Sequence, residues 1–204
     1  MQDLNKRVSA LKELLIKKNL IDDKTFSDYE KVVTEDWVPN NGARLVARAW
    51  LDPKFKEFLL ADGKAAASSF GFGMPEHHGS LVVKENTHQI HNVICCTLCS
   101  CTAFTIIGMA TGWYKDLDYR SRLVREARSV LAEMGLKLSG ELKIRVWDTT
   151  ADTRYMIMPF RPSYTEGWTE QELIKLITKE SLIGVARLEE PYTTHDSNNL
   201  KSGV

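Results

Sequence analysis

The sequence predicts an α+β chain in which helices come first and strands interleaved with helices follow. Three observations predict it. Apolar residues recur at helical spacing through the first seventy positions. The composition shifts at "GFGMPEHHGS", residues 71–80, into runs rich in β-branched residues. All four cysteines then fall within seven positions, Cys95, Cys96, Cys99 and Cys101.

The elements follow in order. Leu4, Val8, Leu11, Leu14 and Leu15 form a narrow apolar stripe opposite a basic face. Two readings of this helix are open: an arm lying on a partner, or an ordinary surface helix. Thr25 is positioned to cap a second helix through Tyr29, Val32 and Val33. "NNGARLVARAWLDPKFKEFLLADGKAAASSFG" continues the helical pattern, with Asp52-Pro53 as cap and first-turn proline and with Gly63 and Gly71 as stops. "SLVVKE" and "HNVICC" read as strands, the second feeding into the cysteines. "ELKIRVWD" sets Leu142, Ile144 and Val146 against Lys143, Arg145 and Trp147, a half-buried strand. "TRYMIMPF" follows a polar turn, Thr149 to Asp152. Between these strand runs "YRSRLVREARSVLAEMG" reads as a helix ending at Gly135. Thr169 and Glu172 form a capping box for a last helix through "ELIKLITK". The predicted organisation is a helical N-terminal arm over 1–75, a metal-binding α/β domain over 76–190 and a polar C-terminal tail over 191–204.

Composition excludes some classes. Lys plus Arg and Asp plus Glu both number 27, so net charge is zero and no nucleic-acid footprint is present. No apolar run reaches the roughly 18 residues of a membrane span. The opening "MQDLNKRVSALKELL" lacks the apolar core of a signal peptide, so a reducing cytoplasm is expected. There, clustered cysteines point to metal or redox chemistry more than to disulfides.

Cys96, Cys99 and Cys101 form C-x-x-C-x-C, a soft site for a transition metal. A structural zinc site needs a fourth ligand. His88 and His91 lie just upstream and could substitute, but they read more readily as alternating strand residues, exposed or satisfied. A thioredoxin-type redox pair needs only two cysteines. The C-S-C step adds a geometric point. A metal held by the sulfurs of Cys99 and Cys101 lies close to the peptide nitrogens of Ser100 and Cys101. If deprotonated, those nitrogens become strong donors, which requires a strongly Lewis-acidic ion such as trivalent iron or cobalt.

"CTLCSC", Cys96 to Cys101, resembles the metal loop of the nitrile hydratase α subunit. "NGARLVARAWLDP", "ENTHQIHNVICCTLCSC", "WYKDLDYRSRLVRE", "RVWDTTADTRYMIMPFRP" and "TEGWTEQELIKLITKESLIGVA" resemble it in the same order, over about residues 40–188. The related thiocyanate hydrolase metal subunit shares the motif. The resemblance implies a helical arm plus a layered α/β/β/α domain. It implies one non-corrin cobalt(III) or non-haem iron(III) per chain, held by the sulfurs of Cys96, Cys99 and Cys101 and the amides of Ser100 and Cys101. Cys99 would become a sulfinic acid and Cys101 a sulfenic acid, the catalytic pair. The sulfenate oxygen of Cys101 would attack the nitrile carbon or act as base for water. A β subunit would complete an αβ or α2β2 assembly, and a maturation protein would insert the metal. Cys95 stands where the family has an aliphatic residue and reads as a buried strand residue. Asp148 and Arg154 match charged positions near the family's centre, and they read equally as hairpin surface charges.

The chain departs from the family after the cysteines. Phe104 replaces a tryptophan, Thr105 a proline, and Ala110-Thr111 a proline pair. Loss of stiffening prolines predicts a more mobile wall and an altered pocket. His77 and His78 stand where relatives carry polar amides. Thr97 is the cobalt-type choice, whereas "CTA" and "RLVREARSVLAEMG" resemble the iron branch; cobalt is favoured because Thr97 is inside the loop. Two other readings stand beside nitrile hydration: a thiocyanate-hydrolysing subunit, and a non-catalytic zinc or redox loop.

Overall fold

The computed structural model describes residues 2–188. The tail expected over 191–204 lies outside the described residues.

Two helices form the arm: α1 (Gln2–Lys17) and α2 (Asp23–Lys31). Neither has a fully buried residue among those described, and Leu4, Val8, Leu11 and Leu14 are exposed. Asp22, not Thr25, caps α2. Its carboxylate accepts from the Thr25 amide at 2.7 Å and from the Thr25 hydroxyl at 2.6 Å. Aspartate is the better cap here because its free oxygens take both donors. A π-helix, Val32–Asp36, then joins the arm to the core.

Helices α3 (Pro39–Leu51), α4 (Pro53–Ala61) and α5 (Gly63–Ser69) follow. Asp52 caps α4 with Pro53 in its first turn, as expected. Gly63 opens α5 rather than stopping a helix, because Asp62 caps it and accepts from Ala65 N. A β-carbon at Gly63 would lie 2.4 Å from the Leu81 carbonyl, so the glycine is needed for close approach. The boundary expected at 75/76 does not divide the core. Leu45, Val46, Leu59 and Ala66 are buried in one cluster with Val83, Ile94, Met156 and Leu182. What stands apart from that cluster is α1 and α2.

Four strands make two parallel ladders. β1 (Ser80–Glu85) pairs with β4 (Thr153–Met158), in register Ser80↔Thr153 to Glu85↔Met158. β2 (Ile90–Cys95) pairs with β3 (Lys143–Asp148), in register Ile90↔Lys143 to Cys95↔Asp148. The turn at Thr149–Asp152 is therefore not a hairpin; it carries the chain from one ladder to the other. Parallel pairing needs helical crossovers. The long one is α8 (Leu117–Glu133), reached through the short helices α6 (Phe104–Ile107) and α7 (Gly112–Lys115). α4 and α5 cover β1, α8 covers β2 and β3, and β2 meets β4 between them. The result is an α/β/β/α layering.

The Thr169 capping box forms as expected, but it serves only α9 (Glu170–Leu176). A second cap at Thr178 starts α10 (Lys179–Ile183). Gly184 ends α10 at φ +92°, and a β-carbon there would sit 2.1 Å from the Asn92 carbonyl. That close approach brings the Gly184 carbonyl 2.7 Å from His91 Nε2. A carbonyl only accepts, so His91 carries its proton on Nε2.

Candidate metal centre

β2 ends at Cys95, and the next residues leave the sheet opposite the end of β3. Buried backbone must be satisfied, and here it is satisfied by named groups. Thr149 N donates to the Cys95 carbonyl at 2.9 Å. Arg120 Nε donates to the Cys96 carbonyl and its Nη2 to the Thr97 carbonyl, both at 2.8 Å. Tyr119 Oη donates to the Ile94 carbonyl at 2.8 Å and Tyr114 Oη to the Cys101 carbonyl at 3.1 Å. Asp148 accepts from Thr97 N at 2.9 Å and from Thr97 Oγ1 at 2.6 Å. Both ends of the loop are thus fixed by α7, α8 and β3.

The sulfurs of Cys96, Cys99 and Cys101 lie within 4.8 Å of one another, and no histidine or carboxylate joins them among the described residues. Cys96 Sγ and Cys99 Sγ are 3.6 Å apart, well beyond a disulfide bond length of about 2.05 Å. The backbone curls around the first of them: Cys99 N is 3.3 Å from Cys96 Sγ, and the N–H groups of Cys101 and Ser100 point at it too. Burial raises the Cys96 thiol, but these donors outweigh it and the net shift is downward. The curl requires Ser100 at φ +87°, a left-handed conformation that costs a non-glycine residue about 1–2 kcal/mol. Strain of this kind persists only where the surroundings impose it. Cys101 is pushed up to about 11 by burial and by the neighbouring Cys99.

Cys95 is fully buried at the end of β2 and is pushed up to about 12, by burial first and then by Asp148. It is an inert core thiol. His91 is fully buried as well, and the His88 ring packs at a tilt against Phe160 with centroids 4.3 Å apart. Both sit toward the start of β2, and neither belongs to the sulfur cluster.

The remaining candidates surround the loop without touching its sulfurs. Phe104 is half-buried between Trp37, at 4.6 Å, and His78, at 5.1 Å. Asp148 anchors Thr97, as above. Arg154 is buried, not a surface charge. Its Nη1 donates to the Thr150 carbonyl at 2.6 Å, and its charge bears on Cys101 and His78. The turn after the cysteines is held without prolines. Thr105, Ile106 and Ile107 are buried, and Asn41 Nδ2 donates to the Thr105 carbonyl at 2.9 Å.

Sequence reasoning passed over Arg120, Tyr114 and Tyr119. One signal was available. Tyr119 lies one turn before Leu123 on the part of α8 that precedes a kink at Glu126, and both are buried, so its hydroxyl faces the core and needs an acceptor. Arg120 gave none, since its partners are backbone carbonyls.

Three clustered cysteine sulfurs, the first of them ringed by amide nitrogens, suit a trivalent transition ion, and among the described residues no side chain adds the fourth ligand that zinc takes. Buried polar atoms without partners also occur around the loop. His78 Nδ1, Thr105 Oγ1, Thr111 Oγ1 and Arg154 Nε all lie on segments bordering the loop. Such atoms are rare in native interiors unless a further group meets them.

His78 also makes stability depend on pH. Burial first, then Arg154, His77 and Lys64, lower its pKa from 6.5 to about 4. Between those values the unfolded chain binds the proton and the folded chain does not. Stability is therefore full above about pH 6.5 and falls by up to about 3 kcal/mol as pH drops to 4. Urea midpoints of the metal-free chain at pH 7 and pH 4.5 check this. His78→Gln should narrow the difference between the two; an unchanged difference would show that His78 titrates normally.

A family model described as nitrile hydratase, alpha chain, matches residues 2–186. The low-molecular weight cobalt-containing nitrile hydratase subunit alpha of Rhodococcus rhodochrous is 41% identical over 185 residues, covering 91% of this chain and 89% of the relative. A solved structure of a double histidine-to-tryptophan mutant of Fe-type nitrile hydratase from Comamonas testosteroni Ni1 is 53% identical with TM-score 0.88. It covers 100% of this chain and 99% of that chain. Thiocyanate hydrolase subunit gamma of Thiobacillus thioparus is 42% identical over 191 residues, covering 87% of this chain and 76% of the relative. A family match over nearly the whole described chain, with this sulfur cluster inside it, settles the assignment: the chain belongs to the nitrile hydratase alpha-chain family.

Proposed function

We propose that this chain is the metal-bearing α subunit of a nitrile hydratase, converting nitriles to amides with a β subunit. The observation that carries the reading is the cluster itself: three sulfurs within 4.8 Å, with the amides of Ser100 and Cys101 directed at the Cys96 sulfur. A trivalent iron or cobalt held there would act as a Lewis acid, polarising the nitrile or acidifying water. The chain's own residues do the rest. Cys101, as a sulfenate, would take a proton from the water that adds to the nitrile carbon, or would attack that carbon itself, water then restoring the sulfenate oxygen as the amide leaves. Cys99, exposed and oxidised to sulfinate, offers oxygens to arginines of the β subunit. Sulfenate is normally transient, so burial under a partner protects it. The exposed stripe of Leu4, Val8, Leu11 and Leu14 supplies a docking face for that partner. The complex is read as cytoplasmic, in an αβ or α2β2 form, and loaded by a maturation protein.

Iron and cobalt both have precedents among the relatives. The Thr97 hydroxyl turns to Asp148, away from the sulfurs, a contact serine could equally make. Thr97 therefore gives no coordination reason for cobalt, and the 53% identity to Fe-type structures favours iron.

Metal analysis of the purified complex should give about one trivalent ion per chain and little zinc. Peptide masses should show about 32 Da added on Cys99 and about 16 Da on Cys101, with Cys95 unmodified. Fully reduced thiols in an active complex would overturn the oxidised-ligand reading. The likeness to thiocyanate hydrolase keeps a second substrate in view. A short nitrile and thiocyanate assayed side by side separate the two.

A further inference from the structure

The joint between arm and core is fastened to the turn that follows the cysteines. Trp37 ends the π-helix, and its ring lies 5.7 Å from Tyr29 of α2 and 4.6 Å from Phe104 of α6. Asn41 is buried, and its side-chain amide donates to Asp36 O at 2.7 Å and to Thr105 O at 2.9 Å. One residue thus ties the end of the π-helix to the metal side. Gly108 packs under the same joint at φ +77°. A β-carbon there would lie 3.1 Å from Pro39 Cδ and 3.4 Å from the Trp37 carbonyl. Thr102 Oγ1 donates to the Gly108 carbonyl at 3.3 Å and closes the turn.

We propose that Trp37 and Asn41 are positioning residues that couple seating of the arm on its partner to the geometry of the cysteine loop. The proposal rests on the functional reading above for the partner and the reaction. The physical reason is short reach. Only Thr102 and Ala103 separate Cys101 from Phe104, and the Cys101 carbonyl is already pinned by Tyr114. A shift of Phe104 has no slack to dissipate in and is passed to Cys101. The π-helix is the segment through which the arm reaches this joint, and π segments are frequent at functional sites. The arm helices bury nothing fully by themselves, so their position is set by what they dock against. Coupling of this kind is reciprocal: a loop fixed by metal favours the docked arm as much as the docked arm favours the loop.

The test is hydrogen exchange over residues 99–108 in the metal-free chain, alone and with a bound nitrile hydratase β subunit. Residues 120–131 of α8 serve as the control. In the parent, the partner should slow exchange of 99–108 by at least about fivefold. In Trp37→Leu and Asn41→Leu that protection should be lost while the control is unchanged, and Trp37→Phe should restore it. In the loaded complex, Trp37→Leu should shift the sulfur-to-metal charge-transfer band. It should also lower kcat about tenfold to a hundredfold with KM within about twofold, as expected of a small misplacement. A Trp37→Leu protein that loses only thermal stability, with parental protection, band and kcat, overturns the proposal. So does a bound partner that leaves 99–108 unprotected in the parent. Protection without nitrile turnover would instead sink the assigned reaction and leave the coupling standing.

Discussion

Cys99→Ala and Cys101→Ala each yield a folded chain that takes up no trivalent metal and hydrates no nitrile, whereas Cys95→Ala retains both. The contrast follows from where the four sulfurs lie. Cys99 is exposed and Cys101 is half-buried at the edge of the core, so truncating either one trims the margin of the packing and should leave the domain folded. Their removal leaves two sulfurs, fewer than the ion needs. Loss of groups merely supporting a ligand already costs about 10–100-fold in metal affinity or activity, and loss of a ligand should exceed that. Cys95 is as close in sequence but fully buried at the end of β2, with its thiol held protonated. Cys95→Ala should cost about 1 kcal/mol of stability, a typical core truncation of this size, and leave the metal in place. Metal content by elemental analysis and amide formation on the same samples check all three. Full metal in Cys101→Ala, or loss of metal in Cys95→Ala, would mean the wrong three sulfurs have been assigned.

The helices and strands were legible because each obeys a local rule. The Thr169 box, the Asp52-Pro53 start and the alternation through Lys143–Asp148 are short-range patterns. The pairing of strands was not legible. β3 and β4 are four residues apart and look like a hairpin, yet each pairs parallel with a strand more than fifty residues earlier. Nothing in a polar turn of that length reports the crossover; α8 does, by covering β2 and β3. The same holds for the site. The three clustered sulfurs sit in one hexapeptide and could be read from spacing. Arg120, Tyr114 and Asn41 hold the loop through backbone carbonyls, and a carbonyl has no residue identity to read. Arg154 was ambiguous for a further reason: its burial depends on the parallel register of β4, which no local pattern encodes. Gly63 misled because glycine serves two ends, stopping one helix or letting the next one start close against a strand.

Ser100 carries the prediction that separates this centre from an ordinary thiolate site. It sits at φ +87°, with its own amide and that of Cys101 directed at the Cys96 sulfur. Ser100→Gly removes the left-handed penalty and keeps the N–H. It should raise stability by about 1 kcal/mol and retain full metal. Ser100→Ala keeps the N–H and the strain, and it should retain metal too. Ser100→Pro should abolish metal uptake, but for two reasons at once, since proline lacks the N–H and fixes φ near −65°. The clean variant replaces Ser100 by its α-hydroxy analogue, an ester in place of the amide. The ester leaves φ free and both neighbouring thiols intact, but it has no proton to lose and no nitrogen to donate. That chain should fold to nearly the parental thermal midpoint without metal. Loaded under the same conditions, it should hold less than about a tenth of the parental metal and lack the parental charge-transfer band, since a trivalent ion depends on strong donors where an ester oxygen is weak. An ester chain with parental metal content and spectrum would show that the Ser100 nitrogen is not a ligand. The curl of backbone around Cys96 would then be a fold feature alone.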